Sequence, residues 1–427
     1  MHGILNVVHS VLKVNKVYIS FLLMMKKFLV VLMWIALGTM GVVAQQRLVN
    51  EVKKEISGLT PTVESYKNSL KKINKTLENE ETKDKAEPWW LAGKIQYFIY
   101  DKILNNKAAG EKVNSTEAGL ALIDGYDKFV IAMKKDSVAV LDKKGNPVKD
   151  KKTGSPKVKT KYSQDIVNRF IDHLVDYSAV AGDFYMASDW DNAYRAWDIY
   201  CSLAKSDWAK KKNKAEPDSV VGYNRFFQGL AAYQGKNYDQ AVEKLSNARI
   251  LGYKKKALYD TWIDALIKQR DTIYLVSVAL EAHDMLGAKD PRYVHILINH
   301  YLKTKNYKEA NELLDEVIES DSLVADYYDL KGRLIEIEHG IDDAIPYYKK
   351  AVALNPEHPM GLFDLGNALY NKAISNSNHR SAEAKKLYGE ALPYLERAYK
   401  LMPMNESLKN ILSRIYYVLG SSKLDSL

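Results

Sequence analysis

The stretch GRLIEIEHGIDDAIPYYKKAVALNP, Gly332 to Pro356, decides the class of this chain. Its two halves each carry apolar residues at helical spacing, and HGID between them breaks the pattern. Gly332, Ala344 and Ala351 are small residues where two antiparallel helices would cross, and a minimal side chain lets their axes approach closely. Tyr348 is the bulky residue that fills the hollow between them, and Pro356 stops the second helix because it lacks an N–H. Similar units begin near Gly222, Lys256, Pro291, Ala325 and Pro359, at separations of 34, 35, 34 and 34 residues. A period of this length belongs to a stacked helix-turn-helix array, in which no unit buries its apolar face alone.

The small residues recur. Gly229 and Gly366 match Gly332, while Ala241, Ala310 and Ala391 match Ala344. NYDQAVEKLSNARI and NYKEANELLDEVI are further second-helix copies. The unit from Lys256 departs, with Ile263 in place of the glycine and Leu275 in place of the first alanine; its length and its two good neighbours retain it. AGDFYMASDWDNAYRAWDIYCSL, from Ala181, matches again and is followed by an insertion, Ser206 to Ser219. EPWWLAGKIQYF reads as a first helix whose partner is displaced to about Thr116–Lys134. The last unit is expanded around Ser375–Ser381, and ESLKNILSRIYYVL reads as a lone closing helix.

From Gly222 to Pro403 these residues resemble the tetratricopeptide (TPR) family. The resemblance implies an all-α fold: a right-handed superhelical solenoid of antiparallel helix pairs, with about six to seven repeats, insertions and a C-terminal capping helix. The expected organisation is divergent helices over 45–140, a lysine-rich loop over 141–162, a unit with an insertion over 163–221, the array over 222–403 and a cap with tail over 404–427.

Residues 1–44 read as an export leader. From Met25, Lys26 and Lys27 precede an apolar run, Phe28 to Leu37, and Val42-Val43-Ala44 forms a small-residue end. Cleavage is expected after Ala44, with translation starting at Met24 or Met25 and the residues before it misassigned. The run from Phe28 to Ala44 is at the short edge of a membrane span, which favours cleavage over anchoring. No cysteine lies near that point for lipid attachment, so a periplasmic or secreted protein is expected, without stable membrane insertion. The single cysteine, Cys201, excludes an intrachain disulfide and reads as a buried small hydrophobe.

The formal charge of +9 does not indicate nucleic acid. Residues 1–44 hold four lysines and no acid, and the segment 141–162 holds eight lysines and two aspartates. The rest of the chain is near neutral. The basic segment bears Gly and Pro and has no interleaved aromatic before Tyr162, so it reads as a solvated excursion.

No phosphate loop, HExxH, nucleophile elbow or cysteine pair is present. His295 and His300 are five apart, and Glu336 and Glu338 two apart, so neither pair shares a helix face. Neither an enzyme activity nor a cofactor or metal site is expected. In the family the first helices line the concave side. Carried over by helix face, this implies a groove of Trp90, Lys94 and Tyr97; Tyr223, Phe226, Leu230 and Tyr233; Asp260, Asp264, His295 and Asn299; Asp329, Arg333 and Glu336; and Met360, Phe363, Asn367 and Tyr370. Aromatics beside mixed charges suit a partner protein's extended peptide or helix. The acids Asp260, Asp264 and Asp329 interrupt any row that would clamp a C-terminal carboxylate. The expected function is a non-enzymatic scaffold that binds another protein in the cell envelope. A glycan- or nutrient-binding protein is the alternative; a helical-toroid hydrolase has no motif in its favour.

Overall fold

The architecture follows from the helix crossings. A Cβ built on Gly332 would lie 2.5 Å from Cε1 of Tyr348, one on Gly366 2.5 Å from Cγ of Leu395, and one on Gly229 2.8 Å from Cγ of Leu245. In these three pairs the second helix therefore lies directly on the glycine of the first. The computed structural model describes residues 45–426 except 59–60, 152–153 and 287–289. The expected leader, 1–44, lies outside the described residues.

The chain divides into two compact units, through Gly252 and from Tyr253. The division falls inside the array expected over 222–403. In the first unit α1 covers 45–55, followed by α2 (Val63–Leu77), α3 (Ala86–Ala108) and α4 (Ser115–Lys135). After a short hairpin come α5 (Ser163–Asp172), α6 (Leu174–Met186), α7 (Trp190–Ala204), α8 (Asp207–Lys211), α9 (Asp218–Gln234) and α10 (Tyr238–Ile250). Here α3 packs on α4, α6 on α7 and α9 on α10. The second unit holds four pairs: α11 (Lys256–Gln269) with α12 (Thr272–Leu286), α13 (Pro291–Thr304) with α14 (Tyr307–Ser320), α15 (Ala325–Glu338) with α16 (Ile341–Leu354), and α17 (Pro359–Ile374) with α18 (Ala382–Leu401). The closing helix α19 (Glu406–Leu419) packs on α18 and α17. The divergent pair keeps its place: Ile263 is fully buried where three other units have Gly229, Gly332 and Gly366, and Ile298 fills the same position in α13.

Two segments differ from the sequence reading. The lysine-rich excursion is a β-ribbon, with β1 (Val138–Ala139) antiparallel to β2 (Val158–Lys159) and bridges Leu141–Pro147 and Lys149–Pro156 further out. Its strands are exposed, and its base is tied down by Asp136, whose carboxylate accepts the N–H groups of Lys161, Tyr162 and Ser163 at 2.7–3.0 Å. The insertion after α7 is partly structured: Ala209 of α8 is buried against Val167 and Ile171 of α5. Cys201 is buried, and desolvation pushes its thiol up to about 11, so it is inert at neutral pH.

Candidate partner-binding face

In the second unit successive first helices touch: α13 meets α15, and α15 meets α17. Residues at i, i+3, i+4 and i+7 share one helix face, so Arg292, His295 and Asn299 line up on α13. On α15 the corresponding set is Asp326, Asp329, Arg333 and Glu336, and on α17 it is Met360, Phe363, Asn367 and Tyr370. Charged side chains cross from helix to helix along this face. Arg292 pairs with Asp260 and, at 3.3 Å, with Asp264. Lys256 reaches Asp260 at 2.8 Å and Asp290, the N-cap of α13, at 2.6 Å. The Tyr293 hydroxyl donates to Asp260 at 2.6 Å.

The second cluster lies deeper. Arg333 donates through Nε to Asp364 at 2.6 Å, and its Nη2 lies 3.3 Å from Asp329 Oδ2. Asp329 is fully buried, and neither of its carboxylate oxygens accepts a hydrogen bond. Burial, and next the neighbouring Asp364 carboxylate, push the Asp329 carboxyl up to about 7. His358, the N-cap of α17, accepts the Gly361 N–H at Nδ1 (2.8 Å) and turns Nε2 toward Asp326 at 3.2 Å. The Asp326 bond raises the His358 pKa and lowers that of Asp326. Burial, followed by the Arg333 charge, holds His295 below the usual imidazole range. The Tyr348 hydroxyl closes the set from α16 by donating to Glu336 at 2.7 Å.

Of the residues expected on a groove, the structure places Asn299 exposed and Arg333, Phe363 and Asn367 half-buried on this face. Tyr370 is a correction: it is buried, its ring 5.9 Å from that of Tyr388 and its hydroxyl accepting from Arg414 of α19 at 3.4 Å. The closing helix seals the position that helix-face counting leaves open. Three more corrections fall in the first unit. Tyr97 is fully buried, with its hydroxyl against that of Tyr177 and its ring on Phe129, because α3 is covered by α4 and α6 together. Phe226 is buried beside Phe227. Trp90 is half-buried and engaged: it stacks on Tyr162 at 4.8 Å and its Nε1 donates to Asp165 at 2.7 Å. Tyr233 is half-buried and lies 5.8 Å from Tyr238 of the second helix of its own pair, and Tyr223 is half exposed. The first unit also holds a hollow of about 350 Å³ lined by Trp190, Tyr194, Arg195, Asp198, Asn237 and Gln240.

Sequence reasoning did not single out Arg292, Asp326, His358 or Asp364. A signal for them exists: the bonded partners lie about one repeat apart, 31 residues for Arg333 and Asp364 and 32 for Arg292 and Asp260. Opposite charges at one-period spacing on first helices mark a ladder across the stack. Among the described residues no helix is long and apolar enough to cross a membrane, and no group of three or more His, Cys, Asp or Glu is arranged to hold a metal ion.

Residues 338–373 match the tetratricopeptide repeat family model. A comparison with curated proteins finds no relative. Among solved structures, the YrrB protein, described as a TPR protein with an unusual peptide-binding site, is 14% identical over 48% of this chain and 95% of its own, with a TM-score of 0.32. MamA from Desulfovibrio magneticus RS-1 is 17% identical over 42% of this chain and 97% of its own, with a TM-score of 0.33. A human IFIT1 dimer with m7Gppp-AAAA is 12% identical over 90% of this chain and 71% of its own, with a TM-score of 0.37. At such identities and scores these likenesses carry no functional inference. The matched segment runs from Glu338, the last residue of α15, through α16 and nearly all of α17; its Tyr348 rests on Gly332 just before it, and Leu395 beyond it rests on its Gly366. The chain is all-α in class, built of antiparallel helix pairs, and residues 338–373 of it are a tetratricopeptide repeat.

Proposed function

We propose that this protein is an exported, non-enzymatic scaffold that binds another protein, holding an extended segment or helix of it along the first-helix face of α11, α13, α15 and α17. The observation that carries the reading is the composition of that face. It combines half-buried Met360 and Phe363, the amides Asn299 and Asn367 and a ladder of charges. Such a surface offers an apolar anchor beside groups that pair a peptide backbone. The leader-like order of residues 25–44 supports passage to the periplasm or beyond. The test is a pull-down from an envelope fraction with the full mature chain and its Phe363→Ala variant. A protein retained by the wild type and lost by the variant, at unchanged melting temperature, supports the reading; equal retention by both places the partner elsewhere.

One observation favours a second reading, a small polar ligand such as a sugar. The hollow in the first unit sets Trp190 and Tyr194 beside Arg195, Asp198, Asn237 and Gln240, an aromatic wall with polar groups around it. Quenching of tryptophan fluorescence on titration with oligosaccharides, abolished by Tyr194→Ala, would favour it over the scaffold.

A further inference from the structure

We infer that the first-helix face of the second unit takes its partner through one cationic side chain, a lysine or arginine, seated on the Asp364 carboxylate above the buried carboxylate of Asp329. This rests on the scaffold reading and adds the chemistry of the bound segment. The carboxylate of Asp329 is buried and neither oxygen accepts a hydrogen bond; Arg333 Nη2, 3.3 Å away, also lacks a hydrogen-bond partner. Arg333 is committed through Nε to Asp364. One guanidinium therefore stands between two carboxylates, and with both ionised the pair is one positive charge short.

No neighbouring element makes up the deficit. From α13 the facing group is His295, whose burial disfavours its charged form. From the start of α17 it is His358, whose charge also acts on Asp329 but is matched by the Asp326 carboxylate that holds it. From α16 it is Tyr348, whose hydroxyl is given to Glu336. Further along the face Asp260, Asp264 and Asp290 share Lys256 and Arg292, so acids outnumber bases there too. A buried carboxylate left uncompensated takes up a proton, and the upward displacement of the Asp329 pKa is that response. A ligand ammonium or guanidinium competes with this proton for the same deficit. The accessible oxygens belong to Asp364 and Asp326, whose side chains are 12% and 37% exposed. Phe363, next to Asp364 in the chain, gives the stem of such a side chain an apolar surface. An acidic, phosphorylated or carboxyl-terminal segment would meet repulsion at the same place.

The experiment uses the full mature chain against an array of end-capped peptides of about ten residues, followed by calorimetry of the strongest binder and of its analogue with each Lys replaced by norleucine and each Arg by citrulline. Binders should be enriched in Lys or Arg, and the analogue should bind about tenfold or more weakly. Calorimetry in two buffers of different protonation enthalpy should show a fraction of a proton released on binding near pH ~6.5 and none near pH ~8.5. Asp329→Asn should abolish the release and weaken binding severalfold; if that variant does not fold, the analogue and the wild-type proton release decide. Peptides that bind equally well without their basic residue, or with no proton released, overturn this inference and leave the scaffold reading standing. An array with no binder overturns both.

Discussion

Gly332 carries no side chain because Tyr348 occupies the place of its Cβ. The tyrosine ring is held there by its hydroxyl bond to Glu336, one turn beyond the glycine on the same helix. Gly332→Leu should therefore force α15 and α16 apart, at a cost of roughly 1–3 kcal/mol or more. A lowered thermal midpoint checks it, and an unchanged midpoint would mean that the ring is free to move aside. Asp329 makes a different prediction. Its folded pKa is raised, so the native state keeps a proton that the unfolded chain has lost. Its stabilisation is complete below the ordinary carboxylate value and is lost as pH rises from there to about 7. Asp329→Asn removes the titration while Arg333 keeps Asp364, so the variant should gain on the wild type by about 1–3 kcal/mol between roughly pH 4.5 and 7.5. Chemical denaturation at both pH values reads this directly. His358 has the same sign at higher pH: its contribution is whole below the ordinary imidazole value and is lost as pH rises through its raised one. At this scale the crossing glycines were legible because one residue type satisfies the contact. The fates of Tyr97, Phe226 and Tyr370 were not, since which neighbours cover an aromatic depends on helices distant in sequence.

The pairs are joined by turns with a recurring demand. Ser188, Lys236, Arg270 and Lys305 all adopt φ of 60–62°, and Gly340 has φ of 101°. Each lies between the two helices of a pair, so the turn needs a left-handed residue, and only one of these five positions carries the residue that enters this region without strain. Lys305→Gly should stabilise the second unit by about 0.5–1 kcal/mol, the relief of strain exceeding the added chain entropy. A raised midpoint of denaturation checks it; a fall would mean that the lysine stem contributes packing. The β-ribbon is an element of another kind. It is exposed and held at its base by Asp136, whose partners lie outside Lys143–Lys159. Deleting Lys143–Lys159 should leave the helical circular dichroism signal and the melting midpoint unchanged within about 0.5 kcal/mol. The helix pairs were legible as elements because apolar spacing and crossing residues agree. The ribbon was not, because its cross-strand bonds are made by backbone groups and leave no alternating apolar pattern.

For the molecule as a whole, the leader reading predicts that expression from Met25 in an export-competent Gram-negative host yields a species beginning at Gln45. Intact mass of the periplasmic fraction checks it, and a species retaining Phe28 would contradict it. The repeat class and the helix pairing were set by the sequence alone, because small residues at most crossings and a near-constant distance between units are both local properties of a linear pattern. Even the divergent unit kept its place by length, with Ile263 buried where a glycine was absent. The charged face was decided only by tertiary structure. Arg333, Asp329 and Asp364 are ordinary charged residues of an amphipathic pattern when read singly. Their meaning comes from burial, which removes water from Asp329, and from stacking, which brings Asp364 from the next repeat onto the same guanidinium. Desolvation and charge balance are properties of a three-dimensional neighbourhood, and no spacing within a single helix records them.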